Sequence, residues 1–172
     1  MENIILQELR LMAELPNMHP VQRKYFVDTY NVAKPVTVVH ASAVFTLEEL
    51  KIIQDCIKPE PKMCYMNALM LCQAFPDKVT YCEGKVNALL PIDHAFNRVG
   101  DKYVDITFEF ALNDEHVIEY DYVVFGDYNA EQVDYVADKT GYYGGVYSYY
   151  FQHQKKNVPI IRAITGTGAN NL

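Results

Sequence analysis

Apolar residues in the first half of the chain recur with the spacing of helices. Those at positions 5, 9, 12 and 15 predict an amphipathic helix that ends before Pro16. Thr46 and Glu49 form a capping box, in which each side chain can bond the other residue's amide, and this predicts a second helix that runs to about Ile57. Prolines at 59 and 61 then break the chain, and a third, buried helix is predicted from residue 63 to about residue 75.

Strands are predicted mainly in the second half of the chain. The pattern indicates a short strand at residues 35–40 and longer ones at 79–86, 93–99, 102–108 and 117–125. Gly100 and Asp101 favour a tight hairpin turn between the strands at 93–99 and 102–108.

The remaining segments complete the predicted organisation. Asn129 and Gln132 form a second capping signature, which opens a short helix that ends at Gly141. Residues 17–34 are ambiguous, a last strand is predicted at 158–164, and the small, polar residues 166–172 are expected to fray. Because helices come first and an antiparallel sheet follows, we predict a single α+β domain over residues 1–172, with the sheet packed on the helix that carries Cys64.

The composition and charge of the chain argue against several classes of function. The 172 residues carry a formal net charge of −7 at pH 7, and no basic stripe with interleaved aromatic residues occurs, so affinity for nucleic acid is not expected. The first residues lack the positive region of a signal peptide, and no apolar run approaches the roughly 20 residues of a membrane span. We therefore predict a soluble, cytoplasmic protein that binds neither nucleic acid nor membranes, with its oligomeric state left open.

All four cysteines are predicted to be free thiols: Cys56, Cys64, Cys72 and Cys82. No two of them form a CxxC pair, which argues against a structural zinc site, and a disulfide framework is not expected in a chain of this size without a secretion signal. A cysteine on an apolar helix is usually a small buried hydrophobe, and this is the expectation for Cys56 and Cys72. No metal or organic cofactor is implied.

Cys64 differs from the other cysteines in its position and its distant partners. It opens a predicted helix, where the helix dipole and unpaired N–H groups favour a thiolate. His94 on a predicted strand could act as its base, and Asp105 on the next strand could accept a hydrogen bond from the other ring nitrogen. These are the residue types of a nucleophilic catalytic site.

The hairpin register decides whether His94 and Asp105 can meet. A two-residue turn at 100–101 pairs Val99 with Lys102 and makes His94 and Asp105 diagonal neighbours on one face, with Cα atoms about 7–8 Å apart. A loop one residue longer would place them on opposite faces. The sequence leaves the register open.

Three segments resemble a known superfamily. His-Ala-Phe-Asn at 94–97 and Tyr-Val-Asp-Ile-Thr at 103–107 resemble the His-Ala-Trp and Val-Asp-x-Thr signature of transglutaminase-like cysteine enzymes, which belong to the wider papain-like set. Tyr-Cys-Glu-Gly-Lys-Val at 81–86 resembles the glycine-ended strand that commonly precedes that signature. The resemblance covers roughly residues 46–110.

The resemblance implies a papain-like or transglutaminase-like core and assigns three roles. Cys64 is the expected nucleophile, His94 the general base and acid, and Asp105 the residue that orients the imidazole. Tyr65 and Phe96 stand where members of the family often carry tryptophan, and we predict that they contact substrate.

Six aromatic residues crowd the segment 141–151. Tyr142 and Tyr143 could form an aromatic wall or a mobile lid over an extended substrate, with glycines as hinges. The preferred interpretation is a glycine turn that leads into an amphipathic element whose tyrosines pack with their hydroxyls in water.

These observations predict a cysteine-nucleophile hydrolase that cleaves an amide, isopeptide or peptide bond through an acyl-enzyme intermediate. Its substrate would be a protein, a peptide or a small amide. Two alternatives stay open: an acyl or amine transferase of the transglutaminase or acetyltransferase type, and a non-catalytic binding module that keeps the fold and buries Cys64.

Overall fold

A computed structural model describes residues 3–153 of the chain, so the strand predicted at 158–164 and the tail at 166–172 lie outside the described residues. Six α-helices are present within this range: α1 (Ile4–Glu14), α2 (Pro20–Val32), α3 (Leu47–Ile52), α4 (Cys64–Ala74), α5 (Ala130–Thr140) and α6 (Val146–His153). A π-helical segment, Ile53–Ile57, continues α3. The prediction of one domain over residues 1–172 stays a prediction.

The strands form a single antiparallel sheet: β1 (Lys34–Val36), β2 (Val79–Asn87), β3 (Pro91–Val99), β4 (Lys102–Val104) and β5 (Asp121–Tyr128). Their order across the sheet is β1-β5-β2-β3-β4. The sheet curls: the chain that leaves β1 on one edge reaches the opposite edge, where Val38 bridges to Tyr103 of β4. The predicted α+β class and antiparallel sheet are confirmed.

Local capping chemistry explains where the helices begin and end. The Thr46 hydroxyl accepts a hydrogen bond from the Glu49 amide and the Glu49 carboxylate accepts one from the Thr46 amide, so the predicted capping box is confirmed. Asn129 and Gln132 form the second one ahead of α5, and Gly141 ends that helix in the left-handed conformation. Residues 17–34, which the sequence pattern left ambiguous, contain α2.

Three predicted strands differ from the structure. The strand predicted at 35–40 corresponds to β1, which ends at Val36. The strand predicted at 117–125 is displaced toward the C-terminus, because residues 115–119 form a 3₁₀ helix before β5. The strand predicted at 102–108 ends at Val104, because the Asp105 carboxylate accepts hydrogen bonds from the amides of Thr107 (3.0 Å) and Phe108 (3.2 Å). Because those amides already bond the Asp105 side chain, they do not pair with a neighbouring strand. The chain continues as a π-helical segment, Thr107–Ala111.

Apolar packing covers both faces of the sheet and holds α4 against β2 and β3. Cys72 is buried on α4 as predicted. The prediction that Cys56 is buried is wrong, because Ile53 and Ile57 occupy the core-facing positions of its segment and leave Cys56 exposed. Within residues 3–153, no helix has the length and apolar character needed to cross a membrane.

Candidate active site

Cys64 is the first residue of α4 and is partly buried. The preceding Met63 provides no side-chain cap, so the amides of the first turn are not paired by a capping group and favour an anion near them. One turn further on, Asn67 is buried and exchanges two hydrogen bonds with the backbone of Glu60 (3.0 and 2.8 Å). Its amide also donates to the Thr107 hydroxyl (3.0 Å), so Asn67 ties the start of α4 to the turn that follows Asp105.

His94 lies on β3 and is 3% exposed. Three aromatic rings surround its imidazole, with centroid distances of 6.4 Å to Phe96, 5.3 Å to Phe108 and 6.5 Å to Tyr122. This apolar setting excludes bulk water, so the few polar partners of the ring control its charge.

Asp105 is buried and uses both carboxylate oxygens. Its Oδ2 lies 2.6 Å from His94 Nε2 and accepts a second hydrogen bond from the Tyr122 hydroxyl (2.9 Å). Its Oδ1 accepts the amides of Thr107 and Phe108. Four partners therefore fix the carboxylate, and the carboxylate in turn fixes the imidazole.

The hairpin turn brings His94 and Asp105 together in the first of the two registers considered. Val99 pairs with Lys102 across a two-residue turn, and the ladder continues to the pair Asn97–Val104. Asp105 follows directly, beside the strand that carries His94. Asn97 itself is fully buried and donates to the carbonyl oxygen of Ala68 (2.9 Å), which locks α4 to β3.

The imidazole of His94 is held in its protonated form. Burial by itself lowers the pKa of His94, but the charge of Asp105, its hydrogen bond and the nearby side chain of Cys64 together raise the pKa from 6.5 to about 10. Since Asp105 engages Nε2, the other ring nitrogen, Nδ1, is the one available to Cys64. The arrangement can support a thiolate beside an imidazolium.

A cleft opens beside His94, with an empty volume of about 320 Å³ including space open to solvent. Tyr65 lines it, as do Glu83 and Gly84 on β2 and Gly145 just before α6. No protein-family model, curated protein sequence or solved structure matches the chain. The resemblance to transglutaminase-like enzymes therefore stays a prediction.

The other residues predicted to bind substrate occupy different places. Phe96 is 1% exposed and its ring is stacked on the imidazole of His94, so its predicted contact with substrate is replaced by a packing role. Tyr142 and Tyr143 are both exposed, and the Tyr142 ring packs edge-on against Tyr65. The glycine turn and amphipathic element are present: Gly145 has a φ of +75° and leads into α6, where Tyr147 is largely buried.

Sequence reasoning missed three polar residues of this region: Asn67, Glu83 and Tyr122. Glu83 carried a signal, since an acid just before a glycine in the middle of an apolar strand calls for a specific partner. Asn67 and Tyr122 carried none, because the side chains that they bond, Thr107 and Asp105, are 40 and 17 residues away in the chain. Among residues 3–153, no group of three or more His, Cys, Asp or Glu side chains could hold a metal ion.

Replacing Asp105 with asparagine is expected to remove the stabilisation that comes from protonated His94. Because the folded pKa of about 10 lies above the ordinary 6.5, this stabilisation is fully present below pH 6.5 and is lost as pH rises through 10. We expect Asp105→Asn to lower the free energy of unfolding by about 2–4 kcal/mol at pH 6 and by clearly less at pH 10.

Urea unfolding at pH 6, 8 and 10 measures this difference, and NMR titration of the His94 ring gives its pKa directly. Asp138→Asn, at an exposed site on α5, is the matched control and should cost the same at every pH. An equal loss for Asp105→Asn at pH 6 and pH 10 would contradict a charged His94–Asp105 pair.

Proposed function

We propose that the protein is a cysteine-nucleophile hydrolase that cleaves an amide, isopeptide or peptide bond. One observation carries the proposal: the buried His94–Asp105 pair, 2.6 Å between Nε2 and Oδ2, whose imidazole lies near enough to Cys64, at the start of α4, for that side chain to help raise its pKa. A thiol, an imidazole and an orienting carboxylate in this order are the working parts of thiol acyl chemistry. The same features support a papain-like core built from α4 and the sheet.

Acylation begins from the thiolate and the imidazolium. Cys64 Sγ attacks the carbonyl carbon, forming the C–S bond, while the carbonyl oxygen takes the negative charge near the unpaired amides at the start of α4. As the tetrahedral intermediate collapses, the C–N bond breaks and His94 Nδ1 gives its proton to the leaving amine. The acyl group stays on Cys64 as a thioester, and His94 is neutral.

Deacylation returns the site to its starting state. Neutral His94 takes a proton from a water molecule, whose oxygen attacks the thioester carbon. The C–S bond then breaks, the product leaves as a carboxylic acid, and Cys64 is again a thiolate beside imidazolium. Asp105 holds the ring orientation and its charge through both steps.

The proposed setting is a reducing compartment such as the cytoplasm, where thiols stay reduced. The support is that Cys56, Cys64, Cys72 and Cys82 are all unpaired. The proposed substrates are proteins, peptides or small amides.

The test is a search for products and for the acyl-enzyme. We would incubate the protein with a pooled peptide library in H₂¹⁸O, quench with acid, and measure peptides and intact protein by mass spectrometry. The expected result is peptides with ¹⁸O at new carboxyl termini and an acyl adduct on Cys64, both abolished by Cys64→Ala. Since losing a triad member typically costs 10⁴-fold or more, the loss should be complete within detection.

Cys56→Ala is the matched control, because it removes an exposed thiol away from His94 and should keep full activity. Cleavage by Cys64→Ala at the parent rate would overturn the proposal. Cleavage that leaves no ¹⁸O in the products, with the acyl group found on an added amine, would replace hydrolysis by acyl transfer.

A further inference from the structure

Aromatic side chains line the cleft beside His94. Three tyrosines from three different helices line it, Tyr25 on α2, Tyr65 on α4 and Tyr147 on α6, together with Phe125 on β5. Faces of tyrosine and phenylalanine rings carry partial negative charge and attract cations. The walls are therefore suited to a positively charged group with an apolar stem.

Glu83 adds a buried carboxyl group to this wall. It is 5% exposed, and its Oε1 accepts hydrogen bonds from the Tyr81 hydroxyl (2.9 Å) and the Val146 amide (3.0 Å). Its Oε2 accepts one from the Tyr147 amide (2.9 Å). Burial outweighs these donors and raises the pKa of Glu83 from its ordinary value, although each donor stabilises the ionised carboxylate.

Within residues 3–153, Glu83 forms no ion pair with a lysine, arginine or histidine, unlike the other charged residues of the cleft. Asp93 is paired with Lys85 (3.4 Å) and its side chain is 71% exposed. His94 is paired with Asp105. The buried carboxyl group of Glu83 thus lacks a counter-ion among the described residues, and a cation placed beside it would favour its ionised form.

We propose that this cleft binds a cationic group of the substrate, an ammonium or a guanidinium, close to the scissile carbonyl. The inference rests on the proposed function, because it names the substrate class of the same site. Glu83 supplies the counter-charge and the ring faces of the tyrosines enclose the stem. The source of the cation is a lysine or arginine side chain or a free α-amine, and both present the same chemistry.

The test compares reagents that differ in charge and react at Cys64 without turnover. The parent protein is treated at pH 6 with a cationic methanethiosulfonate (trimethylammonium-ethyl), an anionic one (sulfonato-ethyl) and the neutral methyl reagent. Rates at Cys64 and at exposed Cys56 are read from the same samples by mass spectrometry, so that Cys56 corrects for intrinsic reactivity. We expect the cation-to-anion rate ratio at Cys64 to exceed that at Cys56 by about tenfold or more.

Glu83→Gln should bring the ratio at Cys64 close to the ratio at Cys56. Asp93→Asn is the matched control, since it neutralises an exposed carboxylate of the same cleft, and it should keep most of the preference. A Cys64 that reacts quickly with the neutral reagent but shows no preference for the cation overturns the cation site alone. A Cys64 that reacts no faster than Cys56 with every reagent counts against the proposed function itself.

A second measurement on the unmodified protein covers the case in which Glu83→Gln does not fold. N-acetyl-arginine amide should slow iodoacetamide alkylation of Cys64 at lower concentrations than N-acetyl-citrulline amide, its neutral counterpart. Protection of Cys64 by alanine amide, compared with protection by N-acetyl-alanine amide, tests the free α-amine in the same way. Protection by one cationic member identifies the source, and equal protection within both pairs overturns the proposal.

Discussion

Replacing His94 with alanine is expected to slow the alkylation of Cys64 by iodoacetamide at pH 6 by about 10- to 100-fold. The imidazole is nearly inaccessible to solvent, is hydrogen-bonded to Asp105, and has its pKa raised partly by the nearby side chain of Cys64. Because its pKa is about 10, it is protonated at pH 6 and can stabilise a thiolate there. Alanine removes that cation.

The expected size of the change in the alkylation rate of Cys64 follows from two opposing effects. An ordinary thiol with a pKa near 8.5 is only about 0.3% thiolate at pH 6, so full ionisation would raise the reactive fraction by up to ~300-fold. A less basic thiolate is also a weaker nucleophile, which removes part of this gain. The remaining factor of about 10–100 is large enough to measure from the pH profile of alkylation by mass spectrometry.

Two internal comparisons make this experiment specific. Cys56 is exposed and reports the behaviour of an ordinary thiol in the same sample. His116→Ala removes a histidine whose side chain is 71% exposed, and it should leave the profile of Cys64 unchanged. If Cys64 in the parent protein already follows Cys56 across the pH range, the ion pair and the proposed enzyme are both wrong.

Replacing Gly84 with alanine is expected to destabilise the protein by about 3–5 kcal/mol, a large fraction of the stability of a typical domain. An added Cβ would lie 1.8 Å from the carbonyl oxygen of Val123 on β5. The obstacle is backbone rather than a flexible side chain, so β2 and β5 must separate. The pairing between these strands shifts register between Glu83 and Gly84, so the same clash disturbs the wall of the cleft.

Gly100→Ala is the matched control for this change. Gly100 sits in the hairpin turn with a φ of +61° and open space around it, so alanine there should cost only about 1–2 kcal/mol of backbone strain. Urea unfolding of the three proteins gives the difference in free energy. Equal losses for Gly84→Ala and Gly100→Ala would mean that the close approach of β2 and β5 is not required.

Much of the site could be predicted because its parts depend on short segments. The prolines before residue 63 and the apolar positions after it place the start of a helix near Cys64, and Gly100 and Asp101 favour a tight hairpin turn between His94 and Asp105. The register of that hairpin was left open by the sequence and is given by the pairing of Val99 with Lys102 in the structure. Proposing the three residues together also depended on the resemblance to transglutaminase-like enzymes. Local pattern alone could not have linked Cys64 to His94.

Asp105 shows where local pattern fails. Its neighbours favour a strand through residue 108, yet the carboxylate captures the amides of Thr107 and Phe108 and the strand ends at Val104. Side-chain capture of backbone amides competes with pairing, and strand preference depends strongly on the neighbours a strand finds. The Tyr122 hydroxyl then reaches the same carboxylate from β5, a contact with no sequence signal.

By itself the sequence determined the α+β class, the positions of the capped helices and the hairpin turn, because caps, turn residues and helical periodicity act over a few residues. Only the tertiary structure decided what lies around the imidazole. Phe96 is buried and packs beside the His94 imidazole, and Glu83 accepts a hydrogen bond from the Val146 amide at the start of α6, 63 residues away in the chain. Such contacts form only when the curled sheet and the helices pack together, since burial, not local preference, selects which distant groups share a site.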